Sequence, residues 1–112
     1  MASLSIKEFR ILLGEGVQLI DSRPTNVFAS SFMFNSINAS LDGSFEYMAS
    51  CIFNKEEHLV IICDEDKKGE SVLRLESEGF KDISTFNFTY GGIFVNSIIP
   101  GRFWAEGANF LE

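Results

Sequence analysis

The chain has 112 residues, 46% of them hydrophobic, with 16 acidic against 9 basic side chains for a formal charge of −7. That length suits one domain able to bury a core without staples, and the composition excludes a disordered chain. The acidic balance argues against a nucleic-acid binder, which needs clustered Lys and Arg, and against an anionic membrane surface.

Ser5-Ile6-Lys7-Glu8 is a capping box, and Ile6, Phe9, Ile11, Leu12 and Leu13 then form a one-sided apolar helix stopped by Gly14. Val17 to Asp21 is a short strand ending in an acid, and Arg23-Pro24 breaks it ahead of a short helix from Thr25 to Ser30. Ser36 to Ala39 reads as an extended segment before the turn Leu41-Asp42-Gly43. Ser44 to Phe53 is helical in pattern, with Phe45, Met48, Ala49 and Ile52 on one face. His58 to Cys63 is the clearest strand, apolar without alternation, as a central parallel strand covered on both faces would be. A charged loop from Asp64 to Lys68 leads to a helix over Gly69 to Glu78, with Val72, Leu73 and Leu75 inward. Ile83 to Phe86 is a further strand, and Gly91-Gly92 precedes a short apolar segment. Strands alternating with helices, without a repeat or a linker, describe an α/β domain.

Cys51 and Cys63 are too few for a disulfide framework, and with His58 as the one histidine a zinc site is excluded. No basic-then-apolar leader stands at Met1 to Ser5 and no apolar run reaches a membrane span, so a reducing, cytoplasmic setting is the expectation. Leu111-Glu112 has the form of a cloning scar, which would make residues 1–112 a single domain excised from a longer protein. Twelve phenylalanines are a surplus. Those of Phe28 to Phe34 and Phe86 to Phe94 are the candidate docking surface.

The order of these signals resembles a rhodanese-like domain over roughly Leu4 to Phe94. Leu19-Ile20-Asp21-Ser22-Arg23 is similar to the family's hydrophobic-hydrophobic-Asp-x-Arg signature. Phe32-Met33-Phe34-Asn35-Ser36-Ile37-Asn38-Ala39 stands in place of the usual His-Ile-Pro-Gly-Ala-Ile-Asn. Cys63 stands where the family places its nucleophile, and Glu78-Gly79-Phe80 and Gly91-Gly92 resemble two further landmarks. Residues 36–45, with Asp64-Glu65 and Glu70 to Leu75, resemble rhodanese domains fused to metallo-β-lactamase-fold proteins. The resemblance implies a three-layer α/β domain with a central, mainly parallel sheet flanked by helices. It implies a structural role for Asp21 and Arg23, a metallo-β-lactamase-fold domain or other protein domain as partner, and no cofactor or metal in this chain.

In active members that the chain resembles, this cysteine takes up sulfane sulfur from a small donor as a persulfide, and loop amides and an arginine stabilise it. The loop here, Asp64, Glu65, Asp66, Lys67, Lys68 and Gly69, is the candidate anion cradle but departs from that pattern. A carboxylate about 7 Å from a thiolate repels it by roughly 0.6 kcal/mol in water and about 2.4 at an effective dielectric near 20. Three such charges raise a thiol pKa by about a unit or more, where one unit is roughly 1.4 kcal/mol. The expectation is therefore an accessory or interaction module with weak or no sulfurtransferase activity. The alternative is an active sulfurtransferase carrying sulfur on Cys63. Cys51 reads as core and His58 as a surface residue. Asp64-x-Asp66-x-Lys68-Gly69 fails as a calcium loop, since Lys68 and Leu75 occupy ligand positions. A phosphatase-like loop would be longer and end in arginine.

Overall fold

The computed structural model describes residues 2–87, 104–106 and 109–110. Its elements in chain order begin with strand β1 (Ala2–Ser3), helix α1 (Ile6–Gly14), β2 (Gln18–Asp21) and α2 (Thr25–Ser30). They continue with β3 (Phe32–Met33), β4 (Ile37–Asn38), α3 (Phe45–Ile52), β5 (Leu59–Cys63) and α4 (Lys68–Glu76). The last are β6 (Ile83–Asn87), β7 (Trp104–Glu106) and β8 (Asn109–Phe110).

The main sheet has the order β1-β6-β5-β2-β4, and every pairing in it is parallel. Strand β5 lies in the middle, with Ile61 opposite Ile20 on one side and Thr85 on the other. All five of its residues are buried, which is why its sequence is continuously apolar. Alternate residues feed two cores. Leu59, Ile61 and Cys63 meet Phe45 and Ala49 of α3 and Val72 and Leu75 of α4. Val60 and Ile62 meet Phe9 of α1, Leu19, Met33 and Phe86 on the other face. Helices thus cover both faces of a central parallel sheet, the three-layer α/β arrangement expected. A separate antiparallel sheet has the order β3-β7-β8.

Both cap interactions of the Ser5–Glu8 box form, at 3.1 Å and 2.8 Å, and start α1 where the sequence placed it. Gly14 does not stop the helix but forms its last turn. The left-handed residue is Gly16, at φ +76°. Gly79 takes the same role after α4 at φ +95°, letting Phe80 fold back beneath Leu75 with its amide on the Leu75 carbonyl at 3.2 Å. Helix α3 is shorter than Ser44 to Phe53, and α4 begins at Lys68 and ends at Glu76 rather than running from Gly69 to Glu78.

Four apolar assignments fail. Leu73 is 67% exposed and Ile11 and Ile52 are also exposed, because each helix buries a stripe narrower than its apolar content. Cys51 is exposed and not core, lying about 200° around α3 from Ala49 at 100° per residue. His58 is half-buried, its Nε2 2.7 Å from the Ser84 hydroxyl, so it ties β5 to β6. Gly91-Gly92 and the Phe88 to Phe94 part of the expected docking surface lie outside the described residues. Phe86 belongs to the core, stacked on Phe9 at 4.0 Å, while Phe28 and Phe32 stack on each other at 4.7 Å.

Candidate functional site

After β2 the chain leaves toward β4, and after β5 it leaves toward β6 on the opposite side. Loops that part in this way open a crevice outside the carboxyl ends of the strands, where open parallel sheets bind ligands. A cavity of about 130 Å³ lies there. Ser22, Arg23 and Pro24 line it from the end of β2, and Ser40, Leu41 and Asp42 from the loop after β4. Asp64, Asp66, Lys67 and Glu70 close it from the β5–α4 segment.

The floor is set by Asp21 and Arg23. The Asp21 carboxylate is fully buried and accepts the Arg23 amide at 2.9 Å, its Nε at 3.0 Å and an Nη2 at 2.7 Å. The same Nη2 donates to the Ser31 carbonyl at 2.8 Å, fixing the end of α2. Burial pushes the Asp21 carboxyl up from its ordinary range, against the opposing pull of Arg23. Asn38 bridges the carbonyls of Asp21 and Arg23 at 3.0 and 2.9 Å, pinning edge strand β4 to the same turn. These bonds close on themselves, so the pair has the geometry of a structural clasp.

Cys63 ends β5 with 1% of its surface exposed, and it does not line the cavity. Among the described residues no donor hydrogen-bonds its sulfur. Burial first, then the charges of Asp64 and Glu65, push its thiol up to about 12, and Lys68 opposes them only in part. Asp64 to Lys68 is not an open loop but a 3₁₀ turn over Glu65–Lys67. That turn consumes the Lys67 amide on the Asp64 carbonyl at 3.0 Å and the Lys68 amide on the Glu65 carbonyl. Lys68 Nζ goes to Glu65 at 3.1 Å and to the Ser3 hydroxyl at 2.9 Å, while Lys67 faces Glu70 at 4.0 Å. A persulfide anion needs amide dipoles or a cation at the sulfur. Neither loop cation makes its contacts there, and the amides of Lys67 and Lys68 are spent within the turn.

Two features of the cleft were not legible in the sequence. The hydroxyls of Ser22 and Ser71 meet at 3.0 Å, both buried, across 49 residues of chain. Arg74 spans the outer wall. It donates to the Leu41 carbonyl at 3.0 Å, Glu70 at 3.0 Å and Glu46 at 2.6 Å, and lies over the Phe45 ring. Ser22 is the variable position of the Asp-x-Arg signature, and Arg74 follows Glu70 by one helical turn; those were the available signals. Among the described residues no group of three or more His, Cys, Asp or Glu could hold a metal ion.

The parallel sheet with this cleft at its carboxyl edge is the fold of rhodanese-like domains. It superimposes on the rhodanese-like domain of an Anabaena protein with a TM-score of 0.70 at 15% identity, over 89% of this chain and 76% of that one. A rhodanese-like domain protein of Staphylococcus aureus gives 0.61 at 24% identity, over 84% and 89%. A protein of Staphylococcus saprophyticus gives 0.63 at 19% identity, over 82% and 94%. No protein-family model and no curated protein matches the chain. At these identities the likeness is one of fold.

Proposed function

We infer that this chain is an accessory or interaction module on a rhodanese-like fold, with weak or no sulfurtransferase activity. The observation that carries the reading is Cys63 itself, 1% exposed at the end of β5, with a thiol held near 12 and carboxylates at the next two positions. A nucleophile must be a thiolate and must be reachable, and both conditions work against this one. The partner that the resemblance of residues 36–45, 64–65 and 70–75 suggests is a metallo-β-lactamase-fold domain of a longer protein. Two free cysteines, one exposed, fit a reducing, cytoplasmic setting. Among the described residues no helix is long and apolar enough to cross a membrane.

The test is steady-state transfer of sulfur from thiosulfate to cyanide. The reading expects thiocyanate formation no faster than with the Cys63→Ala variant. Turnover that depends on Cys63 would restore the alternative, an active sulfurtransferase with a Cys63 persulfide.

A further inference from the structure

The positive charges of this chain are unevenly served. Among the described residues Lys7 and Arg10, both exposed on α1, have no ion-pair, hydrogen-bond or aromatic partner. Every other described lysine or arginine has a carboxylate within 4.0 Å, except Lys55, which lies over the Phe80 ring at 5.7 Å. Helix α1 gains nothing from the two. Lys7 lies in its first turn, beside the positive end of the helix dipole, and the last turn, where a cation would help, holds no basic residue. Neither has an acid three or four positions away, and at i and i+3 they repel each other. Glu8, the acid of the first turn, is turned back onto the Ser5 amide at 2.8 Å.

A second observation concerns apolar surface. Ile11 is 54% exposed, and with Ile6, Lys7 and Arg10 it lines a groove of about 700 Å³. At 100° per residue these four side chains cover about 140° of the helix, turned from the buried Phe9. Around that arc the two cations lie between the two isoleucines. The face is therefore positive along its middle and apolar at its edges.

We propose that this face of α1 docks an acidic segment of a partner polypeptide, two of whose carboxylates meet Lys7 and Arg10 while aliphatic side chains beside them cover Ile6 and Ile11. Charge complementarity selects this occupant. Hydrogen bonds from a cation to a carboxylate are the strong ones, and Arg10 can make two in parallel. The chain as a whole carries −7, which repels an extended polyanion such as nucleic acid or an anionic bilayer. At about 0.1 M salt exposed charges are screened beyond about 10 Å, so a short acidic segment meets mainly the local positive pair. The aliphatic requirement follows from Ile11, whose exposed surface a purely polar ligand would leave in water. The proposal rests on the reading of this chain as an interaction module, and gives that module a surface and a partner chemistry.

The experiment is an amide NMR titration of the full chain with a blocked helical peptide that carries two glutamates one turn apart, flanked by leucines. Its glutamine counterpart and phosphatidylserine vesicles are titrated alongside, and sedimentation equilibrium follows the chain alone. Saturable shifts confined to residues 6–14, weakened by salt and by the change to glutamine, support the proposal. Affinity should fall about ten-fold in Lys7→Gln/Arg10→Gln, the equivalent of about 1.4 kcal/mol. It should fall about three-fold in Ile11→Ser, which keeps every charge, and stay unchanged in Lys81→Gln, which removes a cation elsewhere. No localised shifts, equal binding of the glutamine peptide, or unchanged affinity in the double variant would overturn it. So would vesicle binding or self-association that the double variant abolishes, which would assign the face to a membrane or to a second copy of this chain. Failure here leaves the sulfur-transfer assay untouched, whereas Cys63-dependent turnover would sink the accessory reading without moving this binding.

Discussion

The two cysteines form an internal comparison, since Cys51 is exposed on α3 and Cys63 is buried at the end of β5. Moving the Cys63 thiol from 9.0 to about 12 lowers its thiolate population about a thousand-fold at any pH well below both values. Burial is the largest cause, and Asp64 and Glu65 add to it. At pH 8, iodoacetamide followed by peptide mass mapping should label the exposed Cys51 much faster than Cys63, which is both buried and held as the thiol, and the two rates should converge in denaturant. Any residual labelling of Cys63 then proceeds through opening of β5, so urea below the unfolding transition should accelerate it. The ionisation itself is read by thiolate ultraviolet absorbance as the difference between wild type and Cys63→Ala. The difference should show no step below about pH 10.5 while the protein is folded. A Cys63-dependent step below about pH 9, or labelling within about ten-fold of Cys51, would refute the reasoning.

The same shift makes stability pH-dependent. A thiol whose folded pKa lies above its unfolded value contributes stability that is complete below the unfolded value, near 9, and is lost as pH rises toward 12. Wild type should therefore lose about 2 kcal/mol more than Cys63→Ala between pH 8 and 10.5, measured by urea unfolding. Arg23→Ala strands the fully buried Asp21 carboxylate and should cost about 3–5 kcal/mol in the same assay, with Asp21→Asn in that background recovering part of it. Gly79→Ala should cost about 1–2 kcal/mol from backbone strain alone, because its Cβ would meet only Lys55 Cδ at an ordinary 3.7 Å.

Sequence carried the sheet interior well, because a strand buried on both faces must be apolar throughout, and β5 is. The capping box and the Asp21-Ser22-Arg23 signature were equally readable, since both are bonds between near neighbours. Strands β1 and β3 escaped, each two residues long and held only by partners more than 70 positions away. Cys51 and Leu73 read as inward because they are apolar, although their helical angle turns them from the Phe45–Ala49 and Val72–Leu75 stripes. In the cleft, the repulsive charges of the loop were legible from composition. The 3₁₀ turn that spends the amides of Lys67 and Lys68, and the Ser22–Ser71 contact, were not, since both depend on how α4 docks against β2 and β5.

The central claim of the proposed function is that Cys63 is at most a poor acceptor of sulfur. Intact mass of the folded chain after incubation with thiosulfate or a low-molecular-weight persulfide, with peptide mapping, tests it most directly. The account predicts no adduct on Cys63, with any modification confined to Cys51. A gain of about 32 Da on Cys63, reversed by reductant and absent from Cys63→Ser, would contradict it.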